Sequence, residues 1–241
     1  MKKWLVILMA LAMLALIGCN TEVADSSNPT TRPSKSASVP TIPSPPVEVS
    51  PLAVEDFLEL ENASDPRQSP IEMVMIHFTS AVMLDRENPY DYDLVRGIFE
   101  ENRLGIHYLI DRNGVIYCFL PESRAAWHAG KGSFREEKYT DDMNQYSIGI
   151  ELMGIGSQED MSIYLHPEEY ESLNDDFKGF TDEQYTALSK LVLDICQRNN
   201  LPLDREHIIG HEEYNPSKND PGTLFDWTVF MENLMEKAAS K

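Results

Sequence analysis

The sequence contains little cysteine, few basic residues and no apolar run of the length that a membrane span requires. Its 241 residues include three cysteines, and 20 Lys+Arg stand against 40 Asp+Glu, a formal net charge of −20. Three cysteines are too few for a disulfide scaffold. A chain this acidic lacks the basic face that nucleic acid or an anionic lipid surface requires, so we expect no nucleic-acid partner. Neither common Gly-rich phosphate loop occurs, which argues against a nucleotide-dependent enzyme. Hydrophobic residues still make up 42% of the chain, enough for a substantial core.

The longest apolar run stands near the N-terminus. Two lysines precede an uncharged run from Trp4 to Gly18, which is shorter than the roughly 20 residues of a membrane span and typical of a signal peptide. It ends in Leu16-Ile17-Gly18-Cys19, which looks like a bacterial lipobox. We therefore expect residues 1–18 to be a lipoprotein signal peptide and Cys19 to carry a lipid that anchors an extracytoplasmic protein to a bacterial membrane. An ordinary secretory signal or an uncleaved anchor is the alternative.

The next segment is rich in proline, serine and threonine. Asn20 to Pro51 has almost no large apolar side chains, so it cannot bury enough surface to offset the entropy of ordering. We expect residues 19–55 to be a disordered tether, either a generic linker or one that lets the domain reach a wall polymer. Residues 56–241 are predicted to be one folded domain, acting as a monomer.

The pattern in that domain interleaves strands with helices. A buried strand over 71–78, a hairpin whose Asn113-Gly114 turn joins 106–111 to 115–120, and a strand over 147–152 are predicted. Predicted helices cover 94–99, ending near Gly105, the segment after the capping box Thr181–Gln184, and about 226–238. The order indicates an α/β domain with a central mixed β-sheet flanked by helices. Residues 155–180 are acidic and fit nothing regular, which favours a solvated surface insertion over a flap above the site.

Two histidines and an aspartate are placed as metal ligands would be. His77 ends an apolar strand, His211 follows Gly210, and Asp220 precedes Pro221-Gly222, a turn that could aim its carboxylate. A catalytic zinc site needs about three such ligands and one open position. A structural role for a histidine at a strand end is the alternative. His207 is interpreted as a surface residue or an outer partner of the ligands, and Cys118 and Cys196 as free and buried, with a bridge between them as the alternative.

Five short blocks then point to a family. They are Ile76–Thr79, Gly105–Gly114, Trp127–Gly130, Ser147–Glu151 and Gly210–His211 continuing to Lys218–Gly222. In this order they resemble the zinc-dependent N-acetylmuramoyl-L-alanine amidases of the type-2 amidase and peptidoglycan-recognition-protein superfamily, over about residues 68 to 238. The resemblance implies a peptidoglycan-recognition-protein-like fold with zinc at the floor of a groove.

The resemblance also implies roles for individual residues. One Zn²⁺ per chain would be held by His77, His211 and Asp220. Glu151 would act as general base and then acid, and Lys218 would stabilise the oxyanion, while the amide between N-acetylmuramic acid and L-alanine of peptidoglycan or muropeptides is hydrolysed. A non-catalytic peptidoglycan-binding sensor of the same fold is the alternative.

Four further residues are predicted to contact substrate. Trp127 and His128 belong to the block that borders the groove in the family, although core packing of Trp127 is an equal alternative. His107 is expected to line the groove or to be structural and not to be a fourth ligand. Arg124 is a candidate contact to a stem-peptide carboxylate.

Overall fold

The computed structural model describes residues 49–240, which include a six-stranded mixed sheet. The spatial order of its strands is β1-β5-β4-β7-β3-β8, and β2 and β6 form a separate two-stranded ribbon. The strands are β1 Val54–Glu55, β2 Ser64–Pro66, β3 Met73–Thr79, β4 Tyr108–Ile110, β5 Ile116–Cys118, β6 Arg124–Ala126, β7 Ser147–Met153 and β8 Ile208–Gly210. The predicted α/β class with a central mixed sheet is confirmed.

Four neighbouring strands of the sheet, β4, β7, β3 and β8, run parallel to one another. β3 pairs in parallel with β7 on one side and with β8 on the other, and β4 pairs in parallel with β7. The hairpin partner β5 is antiparallel to β4, and the short β1 runs parallel to β5. The carboxyl ends of β3, β7 and β8 therefore lie side by side at one edge of the sheet.

The helices bury both faces of this sheet. They are α1 Leu60–Ala63, α2 Tyr92–Asn102, α3 Met143–Tyr146, α4 Pro167–Glu171, α5 Asp182–Asn199, α6 His211–Tyr214 and α7 Trp227–Ala239. Helices α5 and α7 pack on one face, against side chains such as Ile76 and Ile150. Strand side chains alternate between faces, so His77 and Glu151, each one residue further on, belong to the opposite face.

Most predicted elements are present, with small differences at their ends. The hairpin turns at Gly114, whose φ of 78° suits glycine, and α5 begins at the predicted capping box, where Gln184 N donates to Thr181 Oγ1 over 3.1 Å. Helix α2 ends at Asn102 and is capped by Arg103 in the left-handed conformation. Gly105 has a different role: a Cβ there would lie 1.9 Å from the Ala63 carbonyl oxygen.

The folded domain begins before the predicted boundary at residue 56. Strand β1 pairs with the β5 edge, and Ser50 is buried, with its N–H donating to the Tyr108 hydroxyl over 2.9 Å. Main-chain pairing of two exposed residues leaves no hydrophobic pattern in a sequence, so composition alone could not place this boundary. The predicted signal peptide, the lipidation site at Cys19 and most of the tether lie outside the described residues.

The acidic segment 155–180 is folded and not merely a solvated insertion. It contains α4 and a 3₁₀ turn at Asp175–Phe177, and its own buried cluster packs against Phe78 at the end of β3. The members of that cluster from the segment are Ile155, Met161, Leu165, Tyr170 and Leu173. Their irregular spacing, among acidic residues, hides them from a periodicity search.

The state of the two cysteines and the character of the helices can be read from the described residues. Cys118 and Cys196 are both free and buried, as the first alternative predicted. Among the described residues, no helix has both the length and the apolar character that a membrane span requires.

Candidate active site

The sheet register places three predicted site residues together. His77 in β3 is paired in register with Glu151 in β7, and Ile76 is paired with Gly210, after which the chain turns into α6 at His211. Because β3, β7 and β8 are parallel neighbours, these three residues reach the same edge of the sheet. Rigid strands thus fix two imidazoles and one carboxylate.

Asp220 comes to the same point on a loop. A cis peptide bond joins it to Pro221, and the amide of Glu212 at the start of α6 donates to the Asp220 carbonyl over 3.1 Å. Its Oδ2 lies 2.6 Å from His77 Nδ1 and 3.0 Å from His211 Nδ1. One ligand atom from each of the three residues lies within 4.8 Å of the others, so the three predicted metal ligands, hereafter the converging triple, come together.

The hydrogen bond behind His211 indicates which of its nitrogens is available to a metal. Its Nε2 lies 2.9 Å from the carbonyl oxygen of Ala129. A carbonyl only accepts, so Nε2 carries a hydrogen, and Nδ1, which faces Asp220, is the nitrogen left to bind a metal ion.

A longer chain of hydrogen bonds gives the same result for His77. The Ser147 hydroxyl donates to the Met143 carbonyl over 2.7 Å, so it accepts from His128 Nε2 at 3.1 Å. His128 Nδ1 is then bare and accepts from His77 Nε2 at 2.9 Å. Burial lowers the pKa of His77 to about 4, which keeps that ring neutral at pH 7 and leaves its Nδ1 bare.

Nδ1 of His77, Nδ1 of His211 and Oδ2 of Asp220 therefore face one another. The bare Nδ1 of His77 lies 2.6 Å from a carboxylate oxygen, and two such electron-rich atoms repel unless a cation lies between them. The donor set of two nitrogens and one oxygen is a common one for catalytic zinc, and the hydrogen bonds to the outer nitrogens are what metal-ligating histidines usually make. The residues present fit a divalent metal ion.

Glu151 lies beside this triple and is partly buried. Its Oε2 is buried and has no hydrogen-bond partner among the described residues. Burial, and then the charge of Asp220, raise the pKa of Glu151 well above its usual range, while Lys218 opposes the shift. A buried carboxyl with a raised pKa and a free oxygen suits proton transfer.

Lys218 is exposed on the loop that leads to Asp220. Its amide donates to the Asn215 carbonyl over 2.9 Å, which orders the turn before the third ligand. Its charge lowers the pKa of both His77 and Glu151. The ammonium group therefore acts electrostatically on both sides of the site, as an oxyanion partner would need to.

His107 and Arg124 have side chains that are bonded within the protein, which agrees with the structural alternative for His107 and does not favour the predicted substrate contact of Arg124. The His107 ring is fully buried, accepts from the Gly149 amide at 3.0 Å, and has Nε2 3.0 Å from the Arg124 carbonyl. The Arg124 guanidinium donates to Ser64 and to the Leu60 carbonyl. Both side chains are bound to the protein's own atoms, so we assign them structural roles.

His128 and Trp127 are partly buried, and their polar atoms are also engaged. Both nitrogens of His128 bond to His77 and Ser147, so this residue supports a ligand. The Trp127 indole N–H donates to Asp65 Oδ2 over 2.7 Å. Its ring face is the part left for a sugar, and that contact stays a prediction. His207 pairs through Nδ1 with Asp204 at 2.7 Å and is not among the converging ligands.

Several residues of the site have no signal in the sequence. Ser147 and Gly149 belong to the block 147–151, but their relation to His128 is visible only in three dimensions: a Cβ at Gly149 would lie 2.6 Å from His128 Cγ. Tyr164, from the acidic segment, lies close enough to the site that Asp220 and Glu151, after burial, raise its pKa.

A sequence profile of the N-acetylmuramoyl-L-alanine amidases (Amidase_2) matches residues 67–223. The chain belongs to this family. The amidase domain therefore accounts for most of the described residues and for every residue of the converging triple.

Curated relatives of this amidase agree. The 1,6-anhydro-N-acetylmuramyl-L-alanine amidase AmpD of Haemophilus influenzae is 26% identical over 181 residues, covering 70% of this chain and 85% of the relative. AmpD of Citrobacter freundii is 32% identical over 129 residues, covering 53% of this chain and 56% of the relative. The chain thus spans little more than half of that second protein.

Solved structures of such amidases share the fold. A selenomethionine derivative of AmpD superposes with a TM-score of 0.54 at 25% identity, covering 76% of this chain and 95% of AmpD. AmiD of E. coli, in complex with anhydro-N-acetylmuramic acid-L-Ala-D-gamma-Glu-L-Lys, gives 0.51 at 28% identity, covering 68% and 57%. The predicted fold and activity are confirmed: this amidase hydrolyses the bond between N-acetylmuramic acid and L-alanine.

Proposed function

We propose that the amidase is zinc-dependent, with one Zn²⁺ per chain held by His77, His211 and Asp220. The observation that carries this proposal is the convergence of one ligand atom each from His77, His211 and Asp220 within 4.8 Å of one another, a donor set suited to a catalytic zinc ion. When bound, Zn²⁺ would polarise the scissile carbonyl and increase the acidity of a water molecule. Its ligands need move little to receive it, because strands β3 and β8 and the Asp220 loop already hold them.

Glu151 moves the proton in this proposal. Its unpartnered Oε2 would accept a proton from the attacking water as the oxygen–carbon bond forms, and would return it to the amide nitrogen as the carbon–nitrogen bond breaks. The raised pKa of Glu151 suits both halves of the transfer, since a carboxyl of ordinary acidity would be a poor donor to the leaving amine. The products are a free carboxylate on the lactyl group and the amine of the stem peptide.

Lys218 stabilises charge in this proposal. A negative charge develops on the carbonyl oxygen as water attacks, and a fixed ammonium group beside it lowers the barrier. We expect Lys218→Ala to reduce turnover about a hundredfold, the size usual for one lost oxyanion donor. Lys190→Ala, which removes an exposed lysine from α5, is the matched control and should leave turnover unchanged. Equal rates in the two variants would remove Lys218 from the mechanism.

We further propose that muropeptides ending in 1,6-anhydro-N-acetylmuramic acid are among the substrates. The support is the activity for which the AmpD relatives are named and the ligand of AmiD. Purified muropeptides with anhydro or reducing termini would be incubated with the domain, with and without a chelator, and free stem peptide measured by mass spectrometry. Chelator-sensitive release from the anhydro form supports both proposals. Release that the chelator does not affect would overturn the zinc proposal, and release from the reducing form alone would overturn the anhydro proposal.

The cellular location of the amidase is a separate proposal. We infer from the lipobox-like sequence at Cys19 that the amidase is a lipid-anchored, extracytoplasmic protein of a bacterial membrane, acting as a monomer on the wall polymer or its fragments. Labelled palmitate should enter the wild-type chain and not Cys19→Ala. Equal incorporation into both would refute the anchor. Light scattering on the purified protein tests the monomer.

A further inference from the structure

The acidic segment 155–180 lies against the loop that carries the third ligand. Its cluster of buried apolar side chains packs on Phe78, next to His77 and Thr79 at the end of β3. One charged residue of the segment, Asp160, is buried, with 6% of its surface exposed. A buried carboxylate is costly unless its oxygens are hydrogen-bonded, so its partners show what it holds.

Those partners come from two separate parts of the chain. Asp160 Oδ2 accepts from the amide of Ser157 at 2.9 Å and from its hydroxyl at 2.7 Å, within the segment itself. The same oxygen accepts from the amide of Thr223 at 3.1 Å, and the Thr223 hydroxyl also lies 3.1 Å away. A single carboxylate oxygen thus joins the segment to the chain three residues beyond Asp220.

The ligand loop contacts Asp160 on both sides of Asp220, through the main-chain carbonyl of Asp160 on one side and through its carboxylate on the other. On one side Asn219 Nδ2 donates to the Asp160 carbonyl over 3.1 Å. On the other side Gly222, at a φ of 78°, would place a Cβ only 2.7 Å from Asp160 Oδ2. Glycine at this position therefore permits both the backbone conformation and the close approach.

Asp220 itself lies between these two attachments. Its side chain faces the two imidazoles, and its carbonyl is fixed from the opposite direction by the Glu212 amide. Without the Asp160 carboxylate, the Thr223 amide loses its acceptor, and the chain beyond Asp220 keeps only the 3.0 Å contact of the Thr223 hydroxyl with Ser157. Asn219 still bonds to the main-chain carbonyl of residue 160, so the loss is greatest on the C-terminal side of Asp220. A ligand that can swing away binds a metal less tightly, because ordering it costs entropy at each binding event.

We propose that Asp160 is a positioning residue for the metal ligand Asp220, and that the segment 155–180 is through it a working part of the metal centre. The proposal rests on the proposed metal dependence. In this proposal the acidic segment is neither a solvated surface insertion nor a flap over the site. It is a fixed support for the loop that carries Asp220.

The test measures metal affinity, which a purely local structural role would not change. Zn²⁺ binding by the full chain is measured in competition with a chromophoric chelator, for wild type, Asp160→Ala, Asp160→Asn and Thr223→Val. Glu159→Ala, which removes the exposed neighbouring carboxylate, is the matched control. We expect Asp160→Ala to weaken Zn²⁺ binding by about 10- to 100-fold, the usual effect of losing an outer partner of a ligand. Asn retains an accepting oxygen and should recover part of the loss.

A second readout uses the metal-free protein. Hydrogen exchange at the Thr223 amide should become faster in Asp160→Ala and remain at the wild-type rate in Glu159→Ala, because the amide loses its acceptor. If Asp160→Ala does not fold, Asp160→Asn and Thr223→Val test the same contact with smaller changes. Each should weaken Zn²⁺ binding severalfold.

The outcomes separate this proposal from the proposed function. Wild-type affinity in the Asp160 and Thr223 variants, with the wild-type enzyme binding Zn²⁺ and releasing stem peptide, would overturn the positioning role and leave the function intact. A wild-type chain that takes up no metal would overturn both. Weaker binding in the Asp160 variants and not in Glu159→Ala supports the positioning role.

Discussion

At the scale of single residues, the site is defined by which nitrogen of each histidine is already used. His211 and His77 each use Nε2 on an acceptor of the protein, and their Nδ1 atoms both face the Asp220 carboxylate. Glu151 adds a buried oxygen without a partner among the described residues. Unsatisfied buried polar atoms are rare in proteins, and one beside three convergent ligand residues is placed to contact a bound group.

Glu151→Gln tests the proton-transfer role at this scale. Glutamine preserves the shape of the side chain but cannot accept a proton from water, so we expect turnover to fall at least about a hundredfold. Zn²⁺ affinity and the urea midpoint should stay near wild type. Glu171→Gln, at an exposed position, is the control. A variant that retains near-normal turnover would show that another group is the base.

The pH profile of the wild-type enzyme bears on the same residue. Because the pKa of Glu151 is raised, the rate should rise with pH through an acidic limb placed above the ordinary carboxyl pKa of 4.5. The base works only when deprotonated, so the sign is fixed. A limb at or below pH 4.5 would contradict the assignment.

At the scale of elements, the parallel arrangement of β3, β7 and β8 does most of the positioning. Hydrophobic patterns and helix-capping residues can be recognised in the sequence, so the hairpin, α5 and α7 lie close to their predicted positions. The order of the strands in the sheet cannot be predicted from such local patterns. The contact of His77 with His128 and the support of Asp220 by Asp160 depend on it, which is why neither could be predicted.

The prediction for His128 shows where sequence reasoning ends. His128 and His107 both stand in blocks that carry the family resemblance, which predicts that His128 contacts substrate and that His107 lines the groove or is structural. In the structure both imidazoles lie beside Gly149, with His128 behind a metal ligand and His107 in the core. Family blocks identify the residues that matter, while the direction of each side chain is set by neighbours that are distant in the chain.

Gly149→Ala tests this packing within β7. The added methyl carbon would lie 2.6 Å from His128 Cγ and 2.7 Å from Ile106 Cδ1, so the imidazole must move away from His77 Nε2. We expect a loss of about 1–3 kcal/mol in stability, as for an overpacked core, together with weaker Zn²⁺ binding.

Gly97→Ala is the matched control for that substitution. Gly97 lies within α2, and a methyl group added there would have no other atom within 4 Å, so alanine should stabilise the helix by about 0.5–1 kcal/mol. Urea unfolding and chelator competition measure both variants. Unchanged metal affinity in Gly149→Ala would mean that His128 does not fix His77.

At the scale of the whole molecule, the site is built on a core that holds several histidines uncharged. Burial lowers the pKa of His107 to about 3, against 6.5 for an ordinary histidine. The unfolded chain therefore takes up a proton at this residue below pH 6.5, while the folded chain does not until about pH 3. The stability that His107 contributes is complete above pH 6.5 and is lost as pH falls towards 3.

His107→Gln makes that dependence measurable. Glutamine can still donate to the Arg124 carbonyl but does not titrate, so between pH 6 and 4 its free energy of unfolding should fall less steeply than that of wild type. The difference in slope is up to about 1.4 kcal/mol per pH unit, the value for one proton. Urea unfolding of both metal-free proteins at several pH values gives the two slopes. Parallel curves would contradict a neutral, buried His107.

The central claim is that His77, His211 and Asp220 together hold the one metal ion on which hydrolysis depends. The most direct measurement titrates metal-free protein with Zn²⁺ while stem-peptide release is followed. Activity should rise linearly and saturate at one Zn²⁺ per chain, and His77→Ala should neither bind the ion tightly nor recover activity. Full turnover by metal-free protein, or unimpaired binding by His77→Ala, would contradict the account.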